Sequence, residues 1–219
     1  MTLIGGKQIR GKRAIFADDW LTVWQKLMSA VSYYRPKIRE INGGNVHLII
    51  ASCWSTKDID YFINQIEHNL PSGEVYDTCD LQELLQDILY NATKDLKDIK
   101  ESVECSLLIL ETNTNTLWAT EEYSIFRVNS NTEIVFWSAE QGYHSLRERY
   151  PEKDFFYWFY GAVYSDEYCK LPVYVYYDNG VCPLADLNLY EDKNDDNSGE
   201  DWNYWMTYGF TGWETEILW

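Results

Sequence analysis
Basic residues are scarce in this chain of 219 residues: 18 Lys and Arg stand against 35 Asp and Glu, for a net charge of −17. A chain so acidic repels nucleic acid and anionic membrane surfaces, so neither is expected as a partner. No apolar run reaches the ~18 residues of a membrane span. The N-terminus carries no apolar signal segment, which makes a cytoplasmic protein the expectation. Cysteine is sparse and dispersed: Cys53, Cys79, Cys105, Cys169 and Cys182 form no C-x-x-C pair. The three histidines, His47, His68 and His144, show no ligand spacing. No metal site is therefore expected, and the thiols read as reduced and mostly buried. A phosphate-binding glycine loop and a dinucleotide fingerprint are also missing, so no cofactor is expected.

What is present is a globular composition with an aromatic excess. Hydrophobic residues make up 46%, charged residues 24% and aromatics 16%, with 10 Trp and 18 Tyr. The length suits one domain with a full core, and the aromatics point to a large core or an adhesive surface. Residues 2–9 and Ala14-Ile15-Phe16-Ala17 read as two strands around the Arg10-Gly11-Lys12 turn, the second ending at Asp18-Asp19. Over 20–34, Trp20, Leu21, Trp24, Leu27, Met28 and Val31 recur at near-helical spacing, which fits a short helix or a loop packed under aromatics. Strands are expected at 37–41 and 46–52 around the Asn42-Gly43-Gly44-Asn45 turn. A helix capped at Thr56 or Asp58 follows, with Ile59, Phe62, Ile63 and Ile66 on one face, then a longer amphipathic helix over 80–98. Further strands read at 105–112, 116–120, 123–128 and 133–137, helices at 140–149 and 153–165, and a strand at 172–177 closed by Asp178-Asn179-Gly180. Strands, a helix pair, strands, a helix pair and a strand describe a layered protein.

The C-terminal stretch differs. Residues 186–201 are acidic, and Trp202, Tyr204, Trp205, Tyr208, Phe210, Trp213 and Trp219 follow. We divide the chain into a domain over 1–185 and an acidic, aromatic extension over 186–219 that packs on the domain or on a partner.

The candidate chemistry starts at Met1-Thr2. Initiator Met is normally trimmed before a small residue, and trimming leaves Thr2 with a free α-amine beside its own hydroxyl. The unperturbed amine titrates near 7.7–8.0, so one residue can serve as nucleophile and base. Thr2-Leu3-Ile4, Gly11, Ile15-Phe16-Ala17-Asp18 and Lys37-Ile38-Arg39, in that order, resemble the opening of proteasome β subunits and their bacterial HslV-type relatives, the proteasome-like N-terminal-nucleophile (Ntn) hydrolases. The later order of elements over about 2–180 agrees. The resemblance implies an α+β fold, a four-layer αββα sandwich. It implies Thr2 as nucleophile, Lys37 as a cation beside its hydroxyl, Asp18 pairing with Lys37, and Ser138 as a proton relay near the amine. It further implies a threonine amidohydrolase, most simply a peptidase acting on peptides or proteins, that works as a homo-oligomer without metal or cofactor. The chain departs from the family at Ser52-Cys53-Trp54-Ser55, where a Gly-rich turn is expected, and at Trp137-Ser138-Ala139. For the family's supporting Asp and Ser pair only Asp166 offers itself. Those departures define the alternative, a non-catalytic binding or assembly module of the same fold.

Overall fold
The computed structural model describes residues 3–18, 20–24, 30–34, 37–54, 56–70, 75–98, 105–121, 124–130, 132–136, 140–165, 173–177 and 180–183. In chain order these form β1 (Ile4–Ile9), β2 (Lys12–Asp18), β3 (Trp20–Trp24), β4 (Ala30–Tyr34), β5 (Ile38–Gly43) and β6 (Val46–Trp54), then helices α1 (Thr56–Asn69) and α2 (Thr78–Lys97). Next come β7 (Cys105–Glu111), β8 (Thr116–Glu121), β9 (Ser124–Arg127), β10 (Ile134–Phe136), α3 (Glu140–Arg149), α4 (Phe155–Ser165), β11 (Val173–Tyr177) and β12 (Gly180–Pro183). Two five-stranded sheets result, in the orders β10-β1-β2-β11-β12 and β5-β6-β7-β8-β9, and the pairings within them are antiparallel.

Strand periodicity decides the layers. Successive side chains of a strand point to opposite faces, so a central strand that is apolar throughout must be covered on both. In β2, Ala14 and Phe16 join the core beneath α3 and α4, whereas Ile15 and Ala17 face the other sheet. In β6, Leu48 and Ile50 lie against α1 and α2, and Ile49, Ala51 and Cys53 line the space between the sheets. β7 repeats the division, Leu107 and Ile109 outward and Leu108 and Leu110 inward. Three cores therefore stack between four layers, and the expected αββα sandwich is the observed one.

The helices are set by their caps and stripes. Asp77 caps α2, its Oδ1 accepting from the backbone N–H of Cys79 at 2.8 Å and of Asp80 at 2.9 Å; such a cap contributes ~1 kcal/mol. Leu81, Leu85, Ile88, Leu89 and Ala92 form the buried stripe of α2, each large side chain stabilising by roughly 1.5–3 kcal/mol on burial. In the sheet, Arg10 (φ 47°) and Gly11 (φ 79°) form the two-residue β1–β2 turn. Positive φ at both central positions is the hairpin geometry whose twist matches the flanking strands, and glycine supplies it cheaply.

The helix or packed loop expected over 20–34 gives way, where residues are described, to two strands: β3 and β4 pair antiparallel, Trp20 opposite Tyr34, and residues 25–29, with Leu27 and Met28, lie outside the described residues. Trp20, Leu21 and Trp24 of that spacing belong to β3 and Val31 to β4. Within each strand the aromatic and β-branched residues favour extended backbone. β12 was also unforeseen, because Asp178-Asn179-Gly180 reads as a terminus and is followed by a returning strand. Of the described thiols only Cys53 is buried; Cys79 is exposed and Cys105 half-buried, since Cys79 lies in the first turn of α2, off the buried stripe. The extension over 186–219 lies outside the described residues. Among the described residues no helix is long and apolar enough to cross a membrane.

Candidate active site
The β1–β2 register sets the site. Ile4 lies opposite Ala17, so the next position outward brings Leu3 against Asp18. Two bonds fix that contact: Leu3 N–H donates to Asp18 Oδ1 at 2.9 Å, and Asp18 N–H donates to Leu3 O at 3.2 Å. Asp18 thus anchors the residue that directly follows Thr2. Its other oxygen, Oδ2, accepts from Lys37 Nζ at 2.8 Å. Lys37 is in turn held by its backbone, whose carbonyl accepts from Ser52 N–H of β6 at 3.2 Å. The sandwich therefore brings together the end of β2, the entry to β5 and the middle of β6, three places far apart in sequence.

The pair is almost completely enclosed, with 8% of Lys37 and none of Asp18 exposed. Removing two charges from water costs several kcal/mol each, which close contact and additional bonds must offset. Here the carboxylate receives a backbone donor from Leu3 and an ammonium donor from Lys37, both charge-assisted. Arg39, two residues on, behaves differently: it reaches the half-exposed Asp60 at 2.6 Å. Lys37 and Arg39 are not one solvated face.

Sequence reasoning did not single out Cys53 as a neighbour of this pair. It is buried, its Sγ lies 3.8 Å from Ser106 O, and both Lys37 and Asp18 act on it electrostatically. Burial is the dominant influence and pushes the thiol far above its ordinary value. The group stays a protonated, inert thiol at neutral pH. The alternation of β6, which sends Cys53 inward with Ile49 and Ala51, is the signal that could have found it. Thr2 and Ser138, and with them Trp137 and Asp166, lie outside the described residues, as does the side chain of Trp54. Among the described residues no group of His, Cys, Asp and Glu is placed to hold a metal ion.

Comparison with known proteins bears on the fold. No family model matches the sequence, and no curated protein does. Solved structures do match in fold. A Gly-1 mutant of Anbu from Hyphomicrobium sp. strain MC1 superposes with a TM-score of 0.66 at 9% identity, covering 100% of this chain and 99% of its own. The Anbu complex from Pseudomonas aeruginosa, a helical assembly, gives 0.64 at 9% identity over 99% and 97%. The eukaryotic HslV of Trypanosoma brucei gives 0.55 at 12% over 80% and 98%. The chain has the proteasome-like Ntn-hydrolase fold, the sandwich shared by Anbu and HslV.

Proposed function
We propose that the chain is a threonine-nucleophile amidohydrolase that cleaves peptide bonds through the free N-terminus of Thr2 after loss of Met1. One observation carries this reading: the enclosed Asp18–Lys37 pair, whose carboxylate also grips the backbone of Leu3. A buried ion pair is a weak source of stability. An enclosed charge pair beside the start of the chain is instead what a nucleophile there needs.

In this mechanism the Thr2 α-amine takes the hydroxyl proton as Oγ attacks the carbonyl carbon. Collapse of the tetrahedral intermediate expels the amine product, which receives that proton. An ester of Thr2 remains, and water activated by the same α-amine hydrolyses it. Lys37 stabilises the developing negative charge on Oγ, Asp18 holds the ammonium in place, and Ser138 relays protons at the amine. The steps use the Thr2 α-amine, side chains and water. Cys53, held as a neutral thiol, offers no rival nucleophile. The domain spans 1–185, with 186–219 as an extension that packs on it or on a partner copy. Self-association finds support in the helical assembly of the Anbu neighbour. The free thiols of Cys53, Cys79 and Cys105 suit the cytoplasm.

The non-catalytic reading has one observation in its favour. β6 stays paired through Trp54, opposite Cys105, where the related enzymes are expected to turn on glycines. Peptide turnover by purified native-start protein separates the two. Thr2→Ala should abolish it with the fold intact, and Lys37→Ala should lower kcat at least ~10²-fold, as expected for a lost charge-stabilising group. Equal turnover by Lys37→Ala and wild type would refute the roles assigned to Lys37 and Asp18.

A further inference from the structure
A second site lies at the opposite end of the β1–β2 hairpin. Arg13 is five residues before Asp18, about 17 Å along an extended strand. The alternation of β2 puts it on the same face as Ile15 and Ala17, toward the other sheet, and it is only 5% exposed. An apolar residue would fill that position without a charge to desolvate. The side chain is nevertheless held rather than displaced: Nη2 donates to Val128 O at 2.7 Å. The backbone is pinned as well, Arg13 N–H donating to Asn115 Oδ1 at 2.7 Å. Nη1, fully buried, has no hydrogen-bond partner among the described residues.

Arg13 lines an open pocket of about 270 Å³ at the turn end of β2, bordered by residues 115–117 and 127–130, many times the roughly 10–15 Å³ that one water requires. A second cation, Arg127 at the end of β9, lines it too, with Gln8, Asn115, Asn129 and Ser130 contributing amides and a hydroxyl. Among the described residues no acidic side chain lines this cavity, although the chain carries 35 Asp and Glu. Burial, and then the Arg127 charge, lower the Arg13 guanidinium below its ordinary value, so the two cations disfavour each other at a pocket that no described acidic side chain lines. Guanidinium groups present paired donors that match carboxylate and phosphate oxygens.

We propose that this cavity is a binding site for a small oxyanion, a phosphate or carboxylate group, held by Arg13 and Arg127 and separate from the Thr2 site. The anion supplies the acceptor for Arg13 Nη1 and cancels the repulsion between the arginines. The test is calorimetric titration of the full chain at low ionic strength with inorganic phosphate and, separately, with acetate. One anion per chain is expected to bind. Arg127→Ala, at an exposed position, should weaken binding roughly ten- to a hundredfold, as for one lost charge-assisted hydrogen bond. Lys12→Ala, outside the cavity, should leave affinity unchanged, and Thr2→Ala should bind like wild type whatever its turnover. Saturation by phosphate alone assigns a phosphoryl group, and saturation by both anions assigns oxyanions generally; each supports the site. Failure of both anions to saturate, or equal losses in Arg127→Ala and Lys12→Ala, would overturn it in favour of water or diffuse charge.

Discussion
Asp18 can be tested as a structural anchor apart from catalysis. Replacing it by Asn keeps the shape but leaves the Lys37 ammonium buried without its anion. Breaking one side of a buried pair typically costs about 3–5 kcal/mol. Asp18→Asn should therefore lose about that much in urea denaturation. The double variant Asp18→Asn with Lys37→Met should recover a large part of it and remain inactive. A double variant no more stable than Asp18→Asn would mean that Asp18 matters for Leu3 alone. Cys53 makes a prediction about pH. Its folded value is raised, so the native state keeps the thiol proton while the unfolded chain releases it near the ordinary 9.0. That contribution to stability is complete below pH 9 and declines as pH rises, by up to about 1.4 kcal/mol per unit. Cys53→Ala should lose a constant amount for its cavity yet show a shallower decline between pH 8 and pH 10. Parallel curves for both proteins would contradict the assigned burial. Of these residues, Asp18 and Lys37 were legible through the resemblance of the chain's opening to the proteasome-like family, which implied their pairing. The inward-facing Arg13 was not, because after Arg10-Gly11-Lys12 it reads as one more turn cation.

Among the elements, the strands with strict two-sided burial were the readable ones. Val46 to Ser52 and Cys105 to Thr112 are largely apolar because both faces are covered, and their short length and β-branched content, rather than periodicity, distinguish them from buried helix segments. The β3–β4 hairpin was misread because aromatics at positions such as Trp20 and Trp24 satisfy a helical template as easily as a strand one. The contact between β1 and α4 was invisible in sequence and is decided by Gly5. A Cβ there would meet Phe159 Cε2 at 2.7 Å and Phe155 Cζ at 3.2 Å, and both rings are fully buried. Gly5→Ala should therefore destabilise by about 1–3 kcal/mol, the range for overpacking a core, read as a lower urea midpoint. An unchanged midpoint would show that α4 shifts freely on the sheet.

At the scale of the molecule, the order of elements indicated a layered protein, and the four-layer αββα order came from the resemblance of the chain's opening to the proteasome-like hydrolases. The place of Cys53 beside the Asp18–Lys37 pair was not foreseeable, since it depends on how β6 lies against the β1–β2 sheet. The central claim is that Thr2 bears a free amine and attacks a carbonyl carbon. The most direct measurement is the intact mass of native-start protein after brief treatment with an activated peptide ester, with the modified residue mapped. The account predicts a chain one Met short, carrying one acyl group on Thr2. A population that keeps Met1, or an acyl group found elsewhere, would contradict it and leave a proteasome-like fold that binds rather than cuts.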